Sequence, residues 1–205
     1  ETVMKTNIAH IMCGFSLLIA ACSSSATSLQ SGVYEGLQLA VSPAGKITGY
    51  YSESADDSVK RTCTFFLTGE VSAQQSDTIK SWSSSVLAGH IAATDSGVIL
   101  TIPDGQSHAG CMNVLMPEIA TGLELETTQQ THWQTLMQVT SQRAWLSATP
   151  DIATRRKAWI VKGDVVGVIQ TQGNWAEIEY VGDSGKTTHG WVNSNDIQPL
   201  TPPAS

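Results

Sequence analysis

The chain has 205 residues, with 11 Lys and Arg against 18 Asp and Glu, a net charge of -7, and only 14% charged residues. That balance excludes the electrostatic footprint of a nucleic-acid-binding protein and leaves no basic patch for anionic lipid. Abundant Ser, Thr, Gln and Gly suit an exported β-rich protein better than a helical cytosolic one.

The amino end opens on a weakly basic Met4-Lys5, and Ile8 to Ala21 follows without a Lys, Arg, Asp or Glu. A positive start, an apolar middle and small residues at the close are the layout of a secretory signal peptide. The run is too short, and too interrupted by His10, Gly14 and Ser16, to span a membrane as a helix. It ends in Ile19-Ala20-Ala21-Cys22. This resembles the lipobox of bacterial lipoproteins, a branched apolar residue and two small residues before cysteine. The resemblance implies a signal peptide and lipobox over 1–22 and diacylglycerol on Cys22, which would become the mature terminus. Ser23 rather than Asp after the cysteine resembles the pattern sorted to the outer membrane of Gram-negative bacteria. The implied location is the periplasmic face of that membrane, and Ser/Thr-rich residues 23–31 read as a flexible tether.

Residues 32–127 read as one antiparallel β domain. Turn residues recur at short intervals, including Gly32, Gly36, Pro43-Ala44-Gly45, Gly69, Gly89, Asp95-Ser96-Gly97 and Pro103-Asp104-Gly105. Short apolar or alternating runs lie between them, such as Leu37–Val41, Cys63–Leu67 and Val98–Ile102. This spacing predicts a sandwich or a closed barrel of about eight strands. The opening Gly-Val-Tyr-Glu-Gly and the Gly49-Tyr50-Tyr51 strand are similar in style to small periplasmic barrels, lysozyme-inhibitor lipoproteins among them.

Four cysteines have to be placed. Cys13 falls in the apolar signal and Cys22 in the lipobox, which leaves Cys63 and Cys111. An exported pair in an oxidising compartment reads as a disulfide. His108, three residues before Cys111, offers the alternative of a Cys–His nucleophile or a metal site. A nucleophile needs a free thiolate beside a base, and zinc needs further ligands at short spacing. Neither pattern is visible, so no metal and no cofactor is expected.

Residues 128–141 read as a linker. Trp133, Leu136 and Met137 share one face of a helix, although a strand is equally open for this stretch.

Residues 142–200 carry the clearest pattern. A stretch from Arg143 to Pro150 is followed by Lys162-Gly163-Asp164, Gly173-Asn174-Trp175 and Gly190-Trp191-Val192, and Asn193 to Ile197 reads as a single helical turn. These landmarks resemble the bacterial SH3 domain along its whole length, which implies a small β barrel. Ser147 departs from that family, where the opening strand often has an aromatic residue. Four of the six tryptophans, Trp145, Trp159, Trp175 and Trp191, fall in this region. One reading has them filling a core too small for aliphatic side chains alone. The other has them lining a recognition groove. The candidate binding residues are Trp145, Arg155, Arg156 and Trp159, with the two arginines in the loop after Pro150. Glu177 and Glu179 alternate onto one strand face; a glycosidase pair would need a cleft between its carboxylates.

The expected fold is therefore all-β, an antiparallel barrel or sandwich followed by a small SH3-like barrel. No phosphate loop, His-Glu-x-x-His, Gly-x-Ser-x-Gly or calcium loop occurs in the sequence, which argues against an envelope hydrolase. The expectation is a non-enzymatic, lipid-anchored periplasmic protein that binds peptidoglycan peptide or an envelope protein. The alternative is an immunity or inhibitor lipoprotein that neutralises a secreted toxin or lysozyme, where acidic charge would suit a basic target.

Overall fold

The computed structural model describes residues 27–55, 60–74, 76–182 and 184–204. The expected signal peptide and lipobox, Cys22 included, and residues 23–26 of the expected tether lie outside them. Among the described residues no helix is long and apolar enough to cross a membrane. The chain is all-β, and short 3-10 turns are the only helical elements described.

The first unit is a closed barrel in which eight strands follow one another in chain order. They are β1 (Gly32–Tyr34), β2 (Leu37–Val41), β3 (Lys46–Ser54), β4 (Thr62–Glu70), β5 (Asp77–Trp82), β6 (Val86–Ala93), β7 (Gly97–Thr101) and β8 (Leu123–Gln130). Every pairing is antiparallel, and β1 closes the ring on β8. Closure removes the edges that an open sheet would expose. Alternation decides which side chains turn inward. Leu37 and Leu39 on β2, Cys63, Phe65 and Leu67 on β4, and Val98 and Leu100 on β7 all enter one buried core. The β2–β3 connection is the hairpin expected from Pro43-Ala44-Gly45. Gly45 sits at φ 77°, where a side chain would be strained.

The segment from Ile102 to Gly122, between β7 and β8, plugs one end of the barrel. Ile102, Cys111, Leu115 and Ile119 are buried in the barrel core. Cys111 is disulfide-bonded to Cys63, with Cα atoms 4.4 Å apart. The expected pairing is present, and it staples the plug to the start of β4. Leu29 reaches the same core from the strand-free segment ahead of β1.

The second unit is a seven-stranded antiparallel sheet in the order β11-β10-β14-β13-β12-β9-β15. Its strands are β9 (Thr135–Val139), β10 (Ala144–Ser147), β11 (Arg155–Ile160), β12 (Val165–Gln172), β13 (Trp175–Val181), β14 (Thr187–Asn193) and β15 (Ile197–Pro199). The residues expected to link the units do structural duty in both. The boundary expected at 127 falls inside β8, and the 128–141 stretch holds β9, a strand and not a helix. β9 lies between β12 and β15 and pairs with both, so the second sheet begins before residue 142.

The two units share a seam. Ala40, Trp133, Leu136 and Val165 form a buried cluster flanked by Val33, Tyr50, Phe66 and Ile169. The Trp133 indole lies against Gly167, where a Cβ would come within 2.2 Å of its ring. Only glycine gives the ring this room. Trp133 Nε1 donates to Glu179 Oε2 at 2.7 Å. The Leu136 N–H donates to Thr48 Oγ1 at 2.8 Å. Ser31 Oγ donates to the Trp133 carbonyl at 2.6 Å.

Candidate functional site

The core of the second sheet is aliphatic. It comprises Val139, Ala144, Leu146, Ile160, Val166, Val168, Ala176, Ile178, Val192 and Ile197, with no tryptophan. The reading that had Trp145, Trp159, Trp175 and Trp191 filling this core is therefore overturned. Strand alternation is the cause. Leu146, Ile160, Ala176 and Val192 point into the core, so their neighbours Trp145, Trp159, Trp175 and Trp191 stand on the opposite face.

On that outer face β10 and β11 carry an aromatic ladder. Trp145 is the cross-strand partner of Trp159. Their ring centroids are 5.0 Å apart in an edge-to-face arrangement. The guanidinium of Arg155 lies 3.8 Å from the Trp145 ring centre. That of Arg143 lies 4.8 Å from the ring of Trp159. Two indoles are thus held between two cations, an arrangement stabilised by the negative ring faces. Trp145 is half-buried and Trp159 is 43% exposed. Arg143 is the member that sequence reasoning missed. Its spacing from Trp145 places it on the same strand face, and that was the available signal.

Arg156 does not join the ladder. Its Nη1 donates to the His189 carbonyl at 2.9 Å. His189 Nε2 in turn lies 2.8 Å from Glu177 Oε1, and Gln170 Nε2 donates to Glu177 Oε2 at 2.6 Å. The Gln170 amide, followed by His189, holds the Glu177 carboxyl below the usual carboxylate range. Glu177 and Glu179 share a face, as alternation required, but they have separate partners. Glu179 is taken by Trp133 at the seam and Glu177 by Gln170 and His189.

A transverse row ties the ladder to the rest of the sheet. Glu177 pairs with Trp191, Trp191 with Ser147, and Ser147 with Arg155. Trp191 is only 8% exposed although it lies outside the core. Ser147 is buried, and its Oγ has no hydrogen-bond partner. A buried hydroxyl without a partner costs on the order of 1–3 kcal/mol. Ser147→Ala is therefore expected to stabilise the protein by about 1 kcal/mol. A denaturation midpoint that fell instead would show that this hydroxyl is satisfied in solution.

His108 answers the other question raised by the sequence. It is buried in the first barrel and stacked on Phe65 at 4.7 Å, and Phe65 stacks on Tyr51 at 4.8 Å. Its Nε2 lies 2.9 Å from Ser81 Oγ, and its Nδ1 lies 3.3 Å from Ser83 Oγ. Burial pushes its pKa below the ordinary histidine value and favours the neutral ring. Cys111, bonded to Cys63, offers no thiolate for a Cys–His pair. The imidazole fastens the plug to the β5–β6 turn.

Two of the surface concavities bear on the site. A cleft of about 270 Å3 runs between the units, lined by Gln38, Tyr50, Ser52, Asp164 and Tyr180 among others. A second hollow, of about 250 Å3, opens beside the plug. Tyr51, Leu123 and Met116 supply its apolar wall, and Glu35, Glu53 and Glu124 supply carboxylates. No protein-family model, no curated protein and no solved structure matches this chain.

Proposed function

We propose that this chain is a non-enzymatic, lipid-anchored protein of the bacterial cell envelope, held through Cys22 at the periplasmic face of the outer membrane. It works by surface recognition of peptidoglycan or of an envelope protein. The observation that carries the reading is the Arg143–Trp159–Trp145–Arg155 ladder on the outer face of the second sheet. Binding energy at protein surfaces concentrates in a few aromatic and Arg side chains. Here such side chains are displayed outside the core, which is complete without them. The lipobox-like Ile19-Ala20-Ala21-Cys22 supports the anchor, and the turn landmarks from Lys162 to Val192 support an SH3-like ancestry for the second sheet.

The test uses the purified protein with isolated cell-wall sacculi and with detergent-solubilised envelope fractions. The wild type is expected to be retained by one of them. Trp159→Ala and Arg155→Ala should weaken retention by about 1–3 kcal/mol each. Circular dichroism should first establish that both variants are folded. Retention that neither substitution changes would remove the ladder from the recognition surface.

A second reading has its own observation. The hollow beside the plug joins an apolar wall to three carboxylates, which suits a basic side chain inserted from a partner. This supports an inhibitor or immunity role against a cationic toxin or lysozyme. Glu53→Gln together with Glu124→Gln would weaken such a complex and leave envelope retention through the ladder unchanged.

A further inference from the structure

We propose that the partner of the β10–β11 face is an extended acidic polypeptide segment, laid along β11 with its carboxylates on Arg155, Lys157 and Arg143 and an apolar side chain on Trp159. The inference rests on the reading of the ladder as a recognition surface and names the chemistry it selects.

Charge is the first ground. Five of the chain's 11 Lys and Arg, namely Arg143, Arg155, Arg156, Lys157 and Lys162, fall between residues 143 and 162, against Asp151 as the only acid there. A chain with a net charge of -7 places Arg155, Arg156 and Lys157 on β11, with Arg143 just before β10 and Lys162 just after β11. Among the described residues none of these five forms an ion pair. Arg143 and Arg155 lie over tryptophan rings. A guanidinium over an aromatic ring retains N–H donors with which to receive a carboxylate.

Access is the second ground. β11 is an end strand, paired with β10 on one side and with no described strand on the other. The opposite end strand, β15, is three residues long and finishes at Pro199, which lacks an N–H. The β10–β11 register shifts between Trp145 and Ser147, where two steps along β10 span four along β11. Lys157 lies within that bulge. Cations and bulges on an end strand discourage pairing with a neutral or basic strand. An acidic segment turns the same cations into contacts, so the features that protect this edge also choose what approaches it.

The range of the field is the third ground. At physiological salt, exposed charges are screened beyond about 8 Å. The local cations therefore govern close approach to β11 even though the whole molecule is acidic.

The test is binding of a synthetic peptide of alternating Glu and Val, followed through tryptophan fluorescence of the whole chain. A peptide of alternating Lys and Val serves as control. The Glu peptide should bind and the Lys peptide should not, with affinity falling as salt rises. Arg155→Glu combined with Lys157→Glu should reduce affinity at least about tenfold, a change of about 1.4 kcal/mol, with the circular dichroism spectrum unchanged. Arg155→Lys combined with Lys157→Arg keeps the charges and should retain binding to within a few-fold. Equal binding of both peptides, or indifference to charge reversal, overturns the proposal. So does salt-sensitive self-association without peptide binding, which assigns the face to a second copy of the chain. Loss of Glu-peptide binding alongside intact, ladder-dependent retention on sacculi would sink this inference and leave the recognition reading standing.

Discussion

Gly167→Ala is expected to separate the two units. The added methyl would fall 2.2 to 2.4 Å from three atoms of the Trp133 ring, far inside van der Waals contact. Neither side can yield cheaply. Trp133 is 1% exposed and is held at its Nε1 by Glu179, and Gly167 lies within the β12–β9 and β12–β13 ladders. The indole must leave its place, and the seam loses its largest side chain. The expected cost is about 3–5 kcal/mol, comparable with truncating a buried tryptophan. Trp133→Ala should match it, because both changes remove the same contacts. Denaturation should also change form. The wild type should unfold in one transition, and Gly167→Ala in two as the units uncouple. A single transition at the wild-type midpoint in the variant would show that the seam contributes little to stability.

Opening the Cys63–Cys111 bond is expected to cost about 4 kcal/mol on chain entropy for a loop of this length; the sequence separation is 48. Both cysteines are fully buried, so their replacement by alanine also leaves a small void in the core. The effect should be felt first in the plug. Ile102, Leu115 and Ile119 are its main apolar contributions to the barrel core, and the disulfide is its covalent tie. Reduction, or Cys63→Ala with Cys111→Ala, should lower the denaturation midpoint and make residues 103–121 the earliest site of limited proteolysis. Cleavage appearing first elsewhere, with the plug protected, would mean that apolar burial alone retains it.

The all-β architecture was legible from local pattern. Gln38 separates the inward Leu37 and Leu39, and turn residues flank Val98–Ile102, so short antiparallel strands could be anticipated, while the choice between a sandwich and a closed barrel stayed open until the β1–β8 pairing was seen. The disulfide followed from the cysteine count once Cys13 and Cys22 were set aside. The outer face of the second sheet was less legible for a definite reason. In Trp145-Leu146 and Trp191-Val192 both neighbours are apolar, so alternation shows that the faces differ without showing which is inside. The decision belongs to volume, since small aliphatic side chains fill that core and leave no space for an indole. β9 posed a different problem. Trp133, Leu136 and Met137 satisfy a helical face as well as a strand, and what selects the strand is pairing with β12 and β15, which lie far along the sequence. Arg143 belonged to the ladder by its spacing from Trp145, but an arginine at the start of a strand carries no mark of its own.

Ser31 has a mechanical consequence. Its hydroxyl donates to the Trp133 carbonyl and accepts the Val41 N–H, while Leu29 just ahead of it is buried in the barrel core. Force applied through the segment before Leu29 thus reaches the fold where its two halves are sewn together. It then passes into β1, which is flanked by β2 and β8. Tension along that strand loads the ladders on both sides in shear, so several hydrogen bonds must fail together and cannot unzip in succession. A protein tethered from that end would resist being pulled while its β10–β11 face was occupied by a partner.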